Sequence, residues 1–153
     1  MVVVNSKEEL KEFISQRIRQ YGPKCDLNDI DVSKVTDMSH LFYKSIFDGD
    51  ISKWDVSHVE NMESMFCLSQ FKGDISKWNV SNVWDMSNMF SYSNFNGDIS
   101  NWDVSSVRAM SYMFNNSRFK GDLSRWSVGS VVDMRDMFED SPLEFREPSW
   151  CRG

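Results

Sequence analysis

Aspartate recurs at Asp26, Asp50, Asp74, Asp98 and Asp122, each 24 residues from the last. A row of carboxylates at fixed spacing can do two things. It can gather calcium, helped by oxygens from Ser52 or Ser57. It can also accept backbone N–H groups in a turn, since each of the last four follows a glycine: Gly49, Gly73, Gly97 and Gly121. Calcium asks for six to eight oxygens per ion, and no dense Asp/Gly calcium loop is present. Stacked about 5 Å apart, such carboxylates would repel by roughly 3 kcal/mol per pair at an effective dielectric near 20. Hydrogen bonds within the turns must therefore offset the repulsion. A neighbouring column, Asp31, Asp55, Asn79, Asp103 and Ser127, keeps the accepting oxygen and drops the charge, which favours the turn reading.

Other reactive side chains form no constellation. His40 and His58 occupy different positions of the repeat, and neither belongs to an H-x-H or H-E-x-x-H pattern. Cys25, Cys67 and Cys151 are an odd number at unrelated spacing, giving neither a disulfide framework nor a zinc site. No Ser-His-Asp arrangement and no glycine-rich phosphate loop can be proposed. The expectation is a protein that is not an enzyme and needs no cofactor or metal.

The elements that position these residues follow from the same period. Val32, Val56, Val80, Val104 and Val128 share a column, as do Val35, Val59, Val83, Val107 and Val131. Met38, Met62, Met86, Met110 and Met134 form another, and Phe42, Phe66, Phe90, Phe114 and Phe138 another. Further columns run Leu41, Met65, Met89, Met113, Met137; Phe47, Phe71, Phe95, Phe119, Leu143; and Ile30, Trp54, Trp78, Trp102, Trp126. A single 24-residue unit buries too little to fold alone, whereas identical apolar columns build a continuous core when units stack. The predicted fold is an α/β solenoid: a leucine-rich-repeat-like, right-handed stack of five 24-residue coils in one domain. Residues 1–25 form an N-terminal cap helix, 26–145 the five repeats and 146–153 an irregular C-terminal cap. The Val-x-x-Met segment, as in "VTDM" at 35–38, is the expected short parallel strand, and "SHLFYKS" at 39–45 a short helical or 3₁₀ turn.

Both ends carry closing signals. Residues 5–22 predict an amphipathic helix with a Ser6–Glu9 capping box, an apolar stripe of Leu10, Phe13, Ile14, Ile18 and Tyr21, and a stop at Gly22-Pro23. The repeat fails at Phe145 and Arg146, and Phe145 and Trp150 are available as a lid.

The whole chain has 153 residues, a net charge of -6 and a mean hydropathy of -0.48. The acidity lies in residues 26–141, which carry eighteen Asp/Glu against ten Lys/Arg. That balance argues against direct nucleic-acid binding, which needs clustered cations. No apolar run is long enough to cross a bilayer, and "MVVVNSKEEL" lacks the basic start of a signal peptide. A cytoplasmic location is expected unless the chain is a fragment of a surface protein.

The units "FDGDISKWDVSHVENMESMF", "FKGDISKWNVSNVWDMSNMF" and "FNGDISNWDVSSVRAMSYMF" resemble the BspA-like bacterial surface-protein repeat family, a leucine-rich-repeat relative often described only as a domain of unknown function. The opening "EELKEFISQRIRQYGPKCDLNDIDVSKVTDMSHLF" resembles that family's N-terminal cap. Members are mostly surface adhesins or lipoproteins, and the resemblance implies binding to protein partners.

Function must then lie in the columns that vary. Thr36, Glu60, Trp84, Arg108 and Val132 share one such position; His40, Ser64, Asn88, Tyr112 and Asp136 another; Lys44, Leu68, Tyr92, Asn116 and Asp140 a third. Trp, Tyr and Arg are the usual anchors of interfaces, so Trp84, Arg108, Tyr112, Tyr92, Glu60 and His40 are the candidate partner-binding residues. The expected function is a non-catalytic protein–protein interaction module presenting a rigid face. The alternative is a small acidic cytoplasmic inhibitor occupying the basic groove of a nucleic-acid-binding protein, as phage-encoded antagonists of host defence do.

Overall fold

The computed structural model describes residues 1–152. Short strand β1 (Val2–Val3) precedes helix α1 (Lys7–Tyr21) and strand β2 (Ile30–Asp31), and a 3₁₀ turn spans Ser149–Arg152. β1 and β2 pair in parallel, Val2 opposite Ile30. The N-terminal valines thus extend the first unit as a strand and sink Val4 into the core. Between Asp31 and Ser149 the chain consists of turns, irregular links and single-residue bridges.

Those turns repeat in register. Met38, His40, Phe42 and Lys44 donate their N–H groups to the carbonyls of Asn61, Glu63, Met65 and Cys67, at 2.9–3.0 Å. The same four bonds recur between each later pair of units, down to Met110, Tyr112, Phe114 and Asn116 on Asp133, Arg135, Met137 and Glu139. On the neighbouring column the direction reverses: Glu60, Trp84, Arg108 and Val132 donate back to the carbonyls of Thr36, Glu60, Trp84 and Arg108. Parallel bridges link Asp37, Asn61, Asp85, Ala109 and Asp133 in sequence.

The expected strand over Val-x-x-Met therefore shrinks to one bridged residue per unit. Turn bonds close on either side, Val35 N–H to Val32 carbonyl and Leu41 N–H to Met38 carbonyl, and leave no room for a longer ladder. The expected helical turn at 39–45 is also different. It is a run of tight turns in which His40 and Lys44 adopt φ of 60° and 55°. Ser64 and Leu68, Asn88 and Tyr92, Tyr112 and Asn116, and Asp136 and Asp140 repeat that left-handed pair. Such turns need a positive φ at their third residue, where glycine is usual. Here, in the first four units, the inter-unit N–H bonds of these residues hold the conformation instead.

The core is the set of columns. Phe42, Phe66, Phe90, Phe114 and Phe138 stack with centroids 5.5–5.8 Å apart. Phe47, Phe71, Phe95 and Phe119 form a second pile at 6.1–6.4 Å. Each tryptophan reaches back to the preceding unit: Trp54, Trp78, Trp102 and Trp126 donate Nε1–H to the carbonyls of Leu27, Ile51, Ile75 and Ile99 at 3.0–3.2 Å. The repeated glycine is required by this packing rather than by a left-handed turn. A Cβ on Gly73 would sit 2.7 Å from the Phe71 ring.

α1 covers the first unit. Ser6 caps it, accepting from the Glu9 N–H at 3.2 Å, while the Glu9 carboxylate takes the N–H of Asn5 rather than that of Ser6. Leu10 and Ile14 are buried, with Phe13 and Ile18 packed against the core, but Tyr21 points away and is exposed. Arg17 makes a bidentate pair with Asp29 at 2.8 Å, and Lys7 reaches Asp37 at 3.0 Å and Ser39 at 2.9 Å. At the other end Phe145 is not a lid; it is exposed. Trp150 stacks 6.5 Å from Trp126 and donates to the Leu123 carbonyl at 2.8 Å, so it continues the tryptophan column.

Candidate interaction face

The aspartate row lies on an exposed edge and is occupied with turn bonds. Asp26, Asp50, Asp74, Asp98 and Asp122 accept the N–H two residues on, from Asn28, Ser52, Ser76, Ser100 and Ser124, at 2.8–3.0 Å. The serine hydroxyl, then its N–H, holds Asp74, Asp98 and Asp122 below the ordinary carboxylate range. For Asp50 the Ser52 N–H is the larger cause. Two further columns use the same device: Asp31, Asp55, Asn79 and Asp103 on Ser33, Ser57, Ser81 and Ser105, and Asp37, Asn61 and Asp85 on Ser39, Glu63 and Ser87. These are structural acceptors, three in each of the first three units. Burial raises the thiols of Cys25 and Cys67, which makes them poor nucleophiles.

Two of the three varying columns, those of Trp84 and Tyr92, point largely outward; in the third Ser64 is buried and Asn88 and Tyr112 are only partly exposed. Trp84 is 46% exposed, in contrast to the 4% of Trp54, Trp78, Trp102 and Trp126. Its backbone is held from both sides: its N–H bonds the Glu60 carbonyl at 2.9 Å, and its own carbonyl accepts Arg108 N–H at 2.9 Å and Ala109 N–H at 3.3 Å. Trp84, Ser106 and Arg108 line a shallow depression. The structure thus brings Trp84 and Arg108 together, with exposed Glu60 next along the column.

The remaining candidates stand on the turn ladder. Tyr92 is exposed at 56%, Tyr112 is half-buried, and both are left-handed. His40 lies at the far end, edge-on to Tyr43 at 5.6 Å, beside the groove between α1 and the first unit. It is two units away from Trp84 along the stack. Leu68 is a residue the sequence reasoning passed over. It precedes Tyr92 in the same column and is exposed, as are Tyr43 and Ile46 in the first unit. Its apolar side chain at a solvent-facing repeat position was the available signal.

A chain of in-register 24-residue repeats, with recurrent apolar columns in its core and differing residues between them, is a repeat protein. It belongs to the family described as "Mycoplasma protein of unknown function, DUF285", which matches residues 11–93 and again 67–149. None of the curated proteins or solved structures compared with the chain matches it.

Proposed function

We propose that the chain is a leucine-rich-repeat-like solenoid that serves as a non-catalytic protein-binding module, in the manner of the BspA-like repeats its units resemble. One observation carries the reading. Trp84 is half-exposed on a backbone bonded on both sides, and it shares a depression with Arg108. A rigid aromatic beside a guanidinium is the composition of an interface anchor, and a preformed face loses little entropy on binding. Tyr92 supports it as a second exposed aromatic, 56% exposed in a column where Leu68 is exposed as well.

The test is affinity capture from cells of the native source with wild type, Trp84→Ala and Arg108→Ala as baits of equal stability. The reading expects a protein captured by wild type and lost with both variants. Equal capture by all three would remove the face from consideration.

The acidic-inhibitor reading draws on the exposed row Asp26, Asp50, Asp74, Asp98 and Asp122. Cations dilute that row: Lys53, Lys77 and Arg125 lie close enough to favour ionisation of Asp50, Asp74 and Asp122. Salt separates the two readings. Binding through the carboxylate row would weaken steeply between low and physiological salt, and binding through Trp84 would not.

A further inference from the structure

One column alternates cation with acceptor: Lys24, Asp48, Lys72, Asn96 and Lys120, each 24 residues from the last. The acceptors serve the coil that follows. Lys72 N–H donates to the Asp48 carboxylate at 2.8 Å, and Lys120 N–H donates to Asn96 Oδ1 at 3.0 Å. An ammonium has no lone pair to offer, so a residue that follows a lysine in this column must find another partner. Asp48 finds the Pro23 carbonyl at 2.8 Å. Asn96 N–H finds none among the described residues, and neither does the Asn96 side-chain NH₂, since Oδ1 is the atom turned to Lys120. Asn96 is exposed. With Asn94 it lines an open depression whose other walls include Lys72, Arg118 and Lys120. None of these three cations makes a side-chain hydrogen bond or ion pair among the described residues. That sets them apart in an acidic chain. Lys34, Lys53, Lys77 and Arg125 lie near enough to aspartates to favour their ionisation. Asp74 and Asp122, two residues beyond Lys72 and Lys120, draw that support from Lys77 and Arg125 instead.

Two unpaired donors of one residue beside three unpaired cations make a receptor for anionic oxygen. The protein already contains the bond such an oxygen would make: one coil earlier, the Asp48 carboxylate takes the Lys72 N–H. A carboxylate brought from outside to the same position of the next coil would accept from Asn96 and pair with Lys72. The cations reach further than one charge can use. Lys72 and Lys120 stand two coils apart, on the order of 10 Å at about 4.8 Å per coil, so the occupant carries at least two separated negative groups. A phosphate backbone fits poorly, because Asp74, Asp98 and Asp122 run exposed along the adjacent column and would repel a continuous row of charge. Carboxylates spaced by neutral residues avoid that repulsion. We propose that this depression binds an acidic segment of a partner protein, one carboxylate taking the Asn96 N–H and the Lys72 ammonium, and a second pairing with Arg118 and Lys120. The site is lined by other columns than the Trp84–Arg108 face and does not rest on that reading.

The test uses the full chain, labelled with ¹⁵N, and a short acetylated and amidated peptide that alternates glutamate with serine. In the free protein the Asn96 N–H should exchange with solvent faster than those of Lys72 and Lys120. Peptide should shift the backbone and side-chain amides of Asn96 and slow that exchange. Lys72→Gln should weaken binding about five-fold, the upper worth of one exposed ion pair. Lys72→Asp should weaken it about 25-fold, because a repulsion replaces an attraction. It should also slow Asn96 N–H exchange without peptide, since the column then supplies the acceptor from within. The double variant Arg118→Gln, Lys120→Gln should cost about 25-fold as well, one ion pair for each cation. The same peptide with lysine for glutamate should not bind. Unchanged affinity of Lys72→Asp would overturn the proposal, and so would peptide shifts that map away from Asn96, onto the Trp84 face or elsewhere. Tighter binding of a thymidine oligonucleotide of equal charge at Asn96 would assign the depression to nucleic acid and overturn it too.

Discussion

Phe90 sits at the centre of the aromatic pile, so its removal gauges how far the units share one core. The ring is fully buried and lies 5.7 Å from Phe66, 5.7 Å from Phe114, 4.5 Å from Phe95 and 6.3 Å from Trp102. Phe→Ala in a core costs about 3–5 kcal/mol, rising with the cavity that remains. Neighbours pinned by inter-unit bonds cannot collapse into the space, and lost ring pairs add about 0.5–1.5 kcal/mol each. Phe90→Ala should therefore cost about 5 kcal/mol. Phe138→Ala is the internal comparison: its ring is almost as buried but has Phe114 on one side only and a tilted Trp150 at 6.3 Å. It should cost about 3 kcal/mol, the lower end of the same range. Equilibrium urea unfolding followed by circular dichroism reads both through the midpoint and slope. A Phe90→Ala cost below about 1.5 kcal/mol, or one smaller than that of Phe138→Ala, would refute a continuous core.

Three further outcomes follow from the same geometry. Trp84→Ala should change stability by less than about 1 kcal/mol, since half of the ring is already in water and the backbone bonds survive; a urea midpoint far below wild type would place the ring in the core. Tyr92→Asn should raise stability by about 0.5–1 kcal/mol, because asparagine accepts the left-handed region more readily; a loss would show that the tyrosine ring contributes packing. Asp50, Asp55, Asp74, Asp98, Asp103 and Asp122 all have folded pKa values below their unfolded ones. Their contribution is thus complete above about pH 5 and is lost as pH falls below about 4 through the folded values. A urea midpoint that stays level down to about pH 2.5 would contradict the turn bonds.

The core was legible because stacking makes the same demand of every unit. Once Met62, Met86 and Met110 recur at one spacing, their burial follows, and α1 was equally plain from its caps and stripe. What escaped was backbone. Nothing in "SHLFYKS" or "SYSNF" announces a left-handed residue, because the usual marker is glycine and here hydrogen bonds from the adjacent unit do that work. The strand over "VTDM" failed for the same reason: valine and methionine satisfy a β pattern, while the turns on either side decide the dihedrals. Trp150 does lie over the end of the stack, against Trp126 and Phe138, and its 24-residue spacing from Trp126 is masked by Phe145 and Arg146, which break the pattern before it. On the surface, Trp84 and Arg108 stood out by type against Thr36 and Val132. Leu68 did not, since its exposure depends on a turn that sequence alone does not show.

The polarity of the backbone ladder also bears on mechanics. Every contact between units runs along the stacking axis, so a force applied to the two termini loads those bonds one layer at a time rather than all together. Under tension the molecule should part like pages leaving a binding, each layer releasing about 80 Å of chain, the contour of 24 residues at about 3.3–3.6 Å each. An optical trap would record a staircase of near-equal steps, which is the behaviour of an extensible tether rather than of a single brittle link.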